Sequence, residues 1–248
     1  MDYNLSSGEL LPHLASQLRW SNDGQKLVIT LRDALWWNDG NAITPEDVVF
    51  SLTLWGQTQF PEIAVNGNYI KTIKITGTHE VTLTLYQEKA YSQTIWWGLI
   101  GSHQIVPKHV WNNIIEEHGA NGLDIFQNDW TDDGFEDDWK VASGPYLPYW
   151  LDPFNKSSLF QKNENWWGAD LDEFKAKFAT APKYIGHKFF DFENPTETHK
   201  ALSRNEVDLH SRFLPNVDKM MADNNNIKTW YKEAPYYVGL FSPVELVV

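Results

Sequence analysis

The sequence contains no cysteine, which removes disulfide scaffolds and thiolate-held metals and leaves the redox compartment open. Positive charge is scarce: 20 Lys and Arg stand against 33 Asp and Glu, for a formal net charge of −13. That balance argues against a nucleic-acid partner, because phosphate recognition needs clustered cations and no basic run occurs. No apolar run approaches the roughly 18 residues that a membrane-spanning helix requires. The opening Met1-Asp2-Tyr3-Asn4 lacks the basic and then apolar parts of an export signal. Also missing are a Gly-x-Ser-x-Gly elbow, a phosphate loop and a dinucleotide fingerprint. The eight histidines are scattered, and none shows the one-turn pairing that a helical zinc site uses.

What is present is enough for a globular fold. The 248 residues, 42% of them hydrophobic, can build one large or two small domains. The most ordered stretch is 20–52. Residues 26–32 alternate, with Leu27, Ile29 and Leu31 on one face, and predict a half-buried strand. Asn22-Asp23-Gly24 before it and Asn38-Asp39-Gly40 after it are tight-turn chemistry, since Asn and Asp bond their own backbone and Gly supplies positive φ. A helix is expected next: Thr44 can cap it, Pro45 fits the first helical position, Asp47 lies three residues after the cap, and Val48, Val49 and Leu52 begin its apolar face.

The order of these residues, Leu31-Arg32, Leu35, Trp37, Asp39-Gly40, Ile43-Thr44 and then Glu46-Asp47-Val48-Val49-Phe50-Ser51, resembles the signature of the bacterial extracellular solute-binding proteins of family 5, the oligopeptide- and dipeptide-type components of ABC importers. Three later strings are similar to the same family. They are Ile105-Val106-Pro107-Lys108-His109, Ser143-Gly144-Pro145-Tyr146 with Asn163-Glu164-Asn165-Trp166-Trp167-Gly168, and Asn205-Glu206-Val207-Asp208, where Asn replaces the usual Gly at a position that tolerates left-handed backbone. The Asn163–Gly168 form is similar to relatives that bind oligosaccharides. The resemblance implies an exported, periplasmic or cell-surface protein, no cofactor and no catalytic residue. It implies hinge closure of two lobes around a ligand and delivery to permease subunits in the membrane. Relatives are longer, so the chain is expected to be one incomplete lobe of the type II periplasmic-binding-protein kind, mixed α/β, that binds ligand weakly by itself.

Between and after those strings, residues 70–75 and 81–86 predict a hairpin turning at Gly77-Thr78-His79. Residues 90–99 predict an aromatic helix, and a helix opened by Pro107 should close at Gly119. The acidic loop 121–140 places Asp129, Thr131, Asp133 and Gly134 at calcium-loop positions, but the closing glutamate is replaced by Lys140, so a solvated loop is the better reading. Residues 184–192, a helix over 195–203 and a strand over 207–210 predict a βαβ unit with a parallel pair. Division is expected at about 140/141, with an α+β subdomain over 1–140 and part of an α/β lobe over 141–248.

Thirteen tryptophans, doubled at 36–37, 96–97 and 166–167, are the main compositional oddity. Adjacent rings on a strand face opposite ways, so one of a pair can be core and the other exposed. Trp20, Trp37 and Trp167 belong to the signatures and read as structural. Trp55, Trp96 and Trp97 are candidates for a ligand-stacking wall, because aromatic faces pack on sugar rings and peptide side chains at low entropic cost. On a helix over 90–99, adjacent indoles about 100° apart cannot share one narrow apolar stripe. Strand ends face the ligand crevice of open α/β sheets, which adds Arg212, Phe213, Tyr236 and Tyr237. Three function classes follow: an importer's binding component for an oligosaccharide or an oligopeptide, leaning to sugar; a carbohydrate-active enzyme, for which no motif selects two opposed carboxylates; and a carbohydrate-binding module.

Overall fold

The computed structural model describes residues 2–4, 9–11, 13–57, 70–86, 104–118, 140–152, 154–190, 195–209, 218, 219 and 222. In chain order the elements are β1 (Asp2–Asn4), β2 (Glu9–Leu11), β3 (Ala15–Trp20), β4 (Lys26–Leu31), α1 (Pro45–Gln57), β5 (Ile70–Gly77), β6 (Glu80–Leu85), α2 (Lys108–His118), β7 (Tyr146–Asp152), β8 (Ser157–Lys162), α3 (Asp172–Thr180), β9 (Tyr184–Lys188) and α4 (Pro195–Ser203).

The alternation of β4 sets the main core. Leu27, Ile29 and Leu31 are 5% exposed or less, as are Val81, Leu83 and Leu85 of β6. Leu27 lies opposite Leu83 and Ile29 opposite Val81 in an antiparallel ladder, so each pair shares a face and contributes roughly 1.5–3 kcal/mol per side chain removed from water. The sheet order is β3-β4-β6-β5. Val48 and Leu52, one turn apart on α1, close over it in the same cluster. Two turns bracket β4 as their chemistry requires: Gly24 has φ +67° and Gly40 φ +90°.

The start of α1 is a variant of the expected cap. The Thr44 hydroxyl donates to the Asp47 carboxylate (3.3 Å), and that carboxylate also accepts the Thr44 N–H (2.8 Å). The reach-back half of a capping box is therefore made, while the Asp47 N–H goes to the Thr44 carbonyl (3.1 Å). Helix α2 begins at Lys108, one residue after the expected start. Pro107 precedes it as the residue whose carbonyl accepts from Val110 and Trp111.

Strands β1 and β2 pair as a separate two-stranded sheet, and a third sheet, β7-β8-β9, is antiparallel throughout. Pro148 is tolerated because β7 is an edge strand, where a missing N–H breaks no ladder. After β8, Trp166 is buried against Phe174 and Phe178 of α3, both at 5.3 Å between ring centroids. Gly168 is required there: a Cβ would fall 2.5 Å from the Trp166 ring.

The expected strand over 207–210 does not form in its described part. Residues 207–209 are irregular, Leu209 is 57% exposed, and every described strand pair is antiparallel, so the expected parallel pair is corrected. The cause is local. Asn205 adopts φ +56°, its N–H bonds the Leu202 carbonyl (3.1 Å), and the Glu206 N–H reaches back to Ala201 (2.9 Å). That is a Schellman stop, which ends α4; the three residues after it are exposed or half-buried and pair with no described strand. The left-handed tolerance read at Asn205 is what the helix end uses. Two elements carried weaker signals: β3, whose register shifts between Ala15 and Gln17, and α3, which buries no residue.

Candidate functional site

Polar groups concentrate where the turn after β4 meets the N-termini of α1 and α2. Asp47 is 4% exposed. One of its oxygens takes the Thr44 groups and the other accepts the Lys108 N–H at 2.8 Å, so a single carboxylate caps two helices at their positive ends. One turn on, fully buried Ser51 accepts the Val106 N–H (2.9 Å) and donates to the Asp47 carbonyl (2.7 Å). The strings Glu46–Ser51 and Ile105–His109, far apart in sequence, are thus one hydrogen-bonded unit.

Asp39 extends that unit to the surface. Its carboxylate lies 2.6 Å from His109 Nε2 and accepts the Asn41 N–H (3.0 Å) and side-chain amide (3.1 Å). Burial pushes the Asp39 carboxyl up, but the Asn41 N–H, then His109 and the Asn41 amide, outweigh it and hold the group below the usual carboxylate range. A contact of 2.6 Å requires a proton between the atoms, so His109 Nε2 carries it and donates to Asp39. Beside this pair opens a shallow polar recess of about 370 Å³, lined by Asn41, Thr44, Glu46, Lys108, His109 and Asn112 among others. Its amides, lysine and carboxylate suit hydrogen bonding to a polar solute.

A second lock holds the tryptophan strings. The Asn38 amide donates to the Lys140 carbonyl (3.0 Å) and its oxygen accepts the Ala142 N–H (2.9 Å). Trp36 Nε1 donates to Asn165 (3.1 Å) and Trp167 Nε1 to Ser143 (2.9 Å). Asn163 bonds Gly144 and Pro145. Trp37 is 1% exposed and Trp36 38%, the split expected of an adjacent pair, while Trp20 and Trp167 pack on the core. Trp166 and Trp167 sit in turns instead of a strand, and both rings pack inward at 5.4 Å from each other.

The sequence-predicted ligand wall is not assembled by the described residues. Trp55 belongs to the last turns of α1, described for its backbone alone. Trp96, Trp97, Arg212, Phe213, Tyr236 and Tyr237 lie outside the described residues, as do the helix over 90–99, Gly119 and calcium-loop positions 129–134. Among the described residues no group of three or more His, Cys, Asp and Glu could hold a metal ion, and no helix is long and apolar enough to cross a membrane. Missed from sequence were the contacts of Asp47 with Lys108, of Ser51 with Val106 and of Asp39 with His109, although the Asp47 cap on α1 was expected. Each residue was visible as a member of a string, and their joining was not.

Comparison with known proteins adds the context. A family model described as bacterial extracellular solute-binding proteins, family 5 Middle, matches residues 9–243. The chain is 28% identical over 159 residues to a probable peptide-binding protein, YejA, of Agrobacterium fabrum, covering 64% of this chain and 24% of that protein. A mannohexaose-bound periplasmic oligopeptide-binding protein of Thermotoga maritima superposes with a TM-score of 0.65 at 26% identity, over 94% of this chain and 39% of that one. The oligopeptide-binding protein AppA of Bacillus subtilis, in complex with a nonapeptide, superposes at 0.64 with 16% identity, over 89% and 38%, a likeness of fold alone. The chain spans about a quarter of the length of the curated relatives it matches.

Proposed function

The chain belongs to the bacterial extracellular solute-binding proteins of family 5, and from that membership we propose that it is part of the substrate-binding component of an ABC importer, which captures an oligomeric solute outside the membrane and hands it to permease subunits. The family match across residues 9–243 carries the reading. The fold is mixed α/β, and its signature strings serve chiefly to hold its elements together. Ligand binding favours a closed form only by its differential affinity for that form.

On ligand class, the names of relatives favour a peptide or oligopeptide, against the sequence lean to sugar. One observation keeps an oligosaccharide as the second reading: mannohexaose occupies a relative that is 26% identical over nearly all of this chain. Trp55, Trp96, Trp97, Arg212, Phe213, Tyr236 and Tyr237 remain the proposed ligand-facing residues. Division at about 140/141 is proposed too, supported by the fact that no described sheet pairs a strand from before that point with one from after it, and limited proteolysis clustering near that point tests it.

The deciding experiment is a thermal-shift screen of the protein, with the rest of its gene product where that is longer, against peptide and cello-, xylo- and manno-oligosaccharide libraries. A ligand at a hundred times its dissociation constant adds about 2.7 kcal/mol of apparent stability. Stabilisation by peptides alone assigns peptide transport, and stabilisation by sugars alone assigns sugar transport. Cleavage of any ligand during incubation overturns the importer reading in favour of an enzyme.

A further inference from the structure

We infer that the turn after β4 and the start of α2 form a binding site for a divalent transition-metal cation, held by His109 Nε2, a carboxylate oxygen of Asp39 and the side-chain oxygen of Asn41. Three polar atoms converge there. Asp39 Oδ2 lies 2.6 Å from His109 Nε2 and 3.1 Å from Asn41 Nδ2, and the two nitrogens are 3.2 Å apart. No single placement of protons satisfies all three contacts. With a proton on Nε2, His109 donates to Asp39 but faces the Asn41 amide donor to donor; without it, Nε2 accepts from Asn41 and meets the carboxylate lone pair to lone pair. A cation resolves the conflict, because it takes a lone pair from each corner once the Asn41 amide is turned to present its oxygen. The third ligand is thus an amide, which is why the set is not a group of three His, Cys, Asp or Glu.

The spacing selects the kind of cation. Bonds of about 2.1 Å at right angles put neighbouring ligands of an octahedral ion roughly 3.0 Å apart, within the 2.6–3.2 Å span of this triangle. Calcium fits less well, since it takes longer bonds and about six to eight oxygens, and imidazole beside a carboxylate favours the transition series over magnesium. The backbone presets two corners. The Asn41 N–H donates to the other Asp39 oxygen (3.0 Å), Gly40 turns at φ +90°, and the Asn41 carbonyl is pinned by the Trp37 N–H (2.8 Å). The side chains of His109 and Asp39 are 37% and 28% exposed, so the remaining coordination positions open to water or to a solute in the adjoining recess. Lys108 brings a positive charge to that recess and Glu46 an opposing carboxylate, while the positive ends of α1 and α2 are engaged by Asp47.

Isothermal titration calorimetry of the tag-free protein with nickel chloride and with zinc chloride tests this, and a single saturable site is expected. His109→Gln and Asp39→Asn should each weaken it by at least about tenfold, the loss that even an outer partner of a metal ligand causes. His79→Gln removes a wider pair, with Asp33 at 3.6 Å, and should leave binding unchanged. Asn41→Asp separates coordination from hydrogen bonding: a carboxylate at the third corner should tighten metal binding while repulsion from Asp39 lowers the melting temperature of the metal-free protein. Circular dichroism confirms that each variant folds. Absence of saturable binding, parental affinity in His109→Gln or Asp39→Asn, loss of affinity in His79→Gln, displacement by an equal concentration of calcium, or unchanged or weaker binding in Asn41→Asp overturns the inference.

Discussion

Replacing Asp47 by Ala tests the double-cap reading most directly. The carboxylate is 4% exposed and satisfies the N–H of Thr44 and of Lys108, each at 2.8 Å. Alanine leaves both donors without a protein acceptor, at part-buried positions beside the recess. Loss of one N-cap interaction costs about 1 kcal/mol, and a buried donor left unpaired costs roughly 1–3 kcal/mol. Two such donors, with the favourable field of two helix N-termini lost as well, give a destabilisation of about 3 kcal/mol. For a chain of this size that lowers the melting midpoint by roughly 6–12 °C. Asp47→Asn keeps one acceptor oxygen and should lose about half as much. The assay is urea unfolding followed by tryptophan fluorescence, with scanning calorimetry for the midpoint. A change within about 0.5 kcal/mol for Asp47→Ala, the range of an ordinary surface substitution, would refute the claim that this carboxylate ties α1 to α2.

Three other outcomes follow from the same structure. Ser51→Ala should cost about 1–2 kcal/mol by stranding the Val106 N–H, and combined with Asp47→Ala it should fall short of additivity because the two belong to one network; full additivity in a double-mutant cycle would contradict that. Gly168→Ala should cost about 1–3 kcal/mol, since the new methyl meets the Trp166 ring, and unchanged calorimetry would mean that the ring has room to move. The Asp39 carboxyl titrates below its unfolded value, so the native state binds fewer protons there. Its contribution is complete above about pH 4 and is lost as the pH falls through the lower folded value. Asp39→Asn should flatten the acid limb of the stability profile, and an unaltered limb would show that the His109 contact contributes nothing.

Strand β4 was legible because its environment is one-sided: a sheet face buried against a helix forces alternation, and Lys26–Leu31 obeys it. The turns at Gly24 and Gly40 were legible because positive φ has few sequence solutions. Helix α3 was not, since it buries no residue, and its one usable signal was Phe174 and Phe178 four residues apart. The left-handed tolerance of Asn205 is used at the end of α4, whereas the run Val207–Leu209, with Leu209 57% exposed and no described strand beside it, has too little burial for β propensity to act on.

The candidate site was legible in its residues and illegible in its connections, and the difference is one of sequence separation. A signature string shows which side chains occur together locally, whereas Asp47 to Lys108 and Asp39 to His109 are separated by 61 and 70 positions. No local rule of capping or turn chemistry reaches that far. The strings look like ligand motifs when read singly, because polar and aromatic residues recur in them. Joined, they account for their own polarity: Asp47, Ser51, Asn38 and Asn163 spend their hydrogen bonds on backbone groups of the partner string. A side chain whose donors and acceptors are all engaged within the fold has little left for a solute. Beyond the recess beside Asp39 and His109, ligand contacts should therefore come from residues outside these strings, and alanine substitution of Trp96 or Trp97 should weaken binding by about 1–3 kcal/mol while sparing stability. Loss of melting temperature with affinity intact would instead place those indoles among the structural tryptophans, with Trp37 and Trp167.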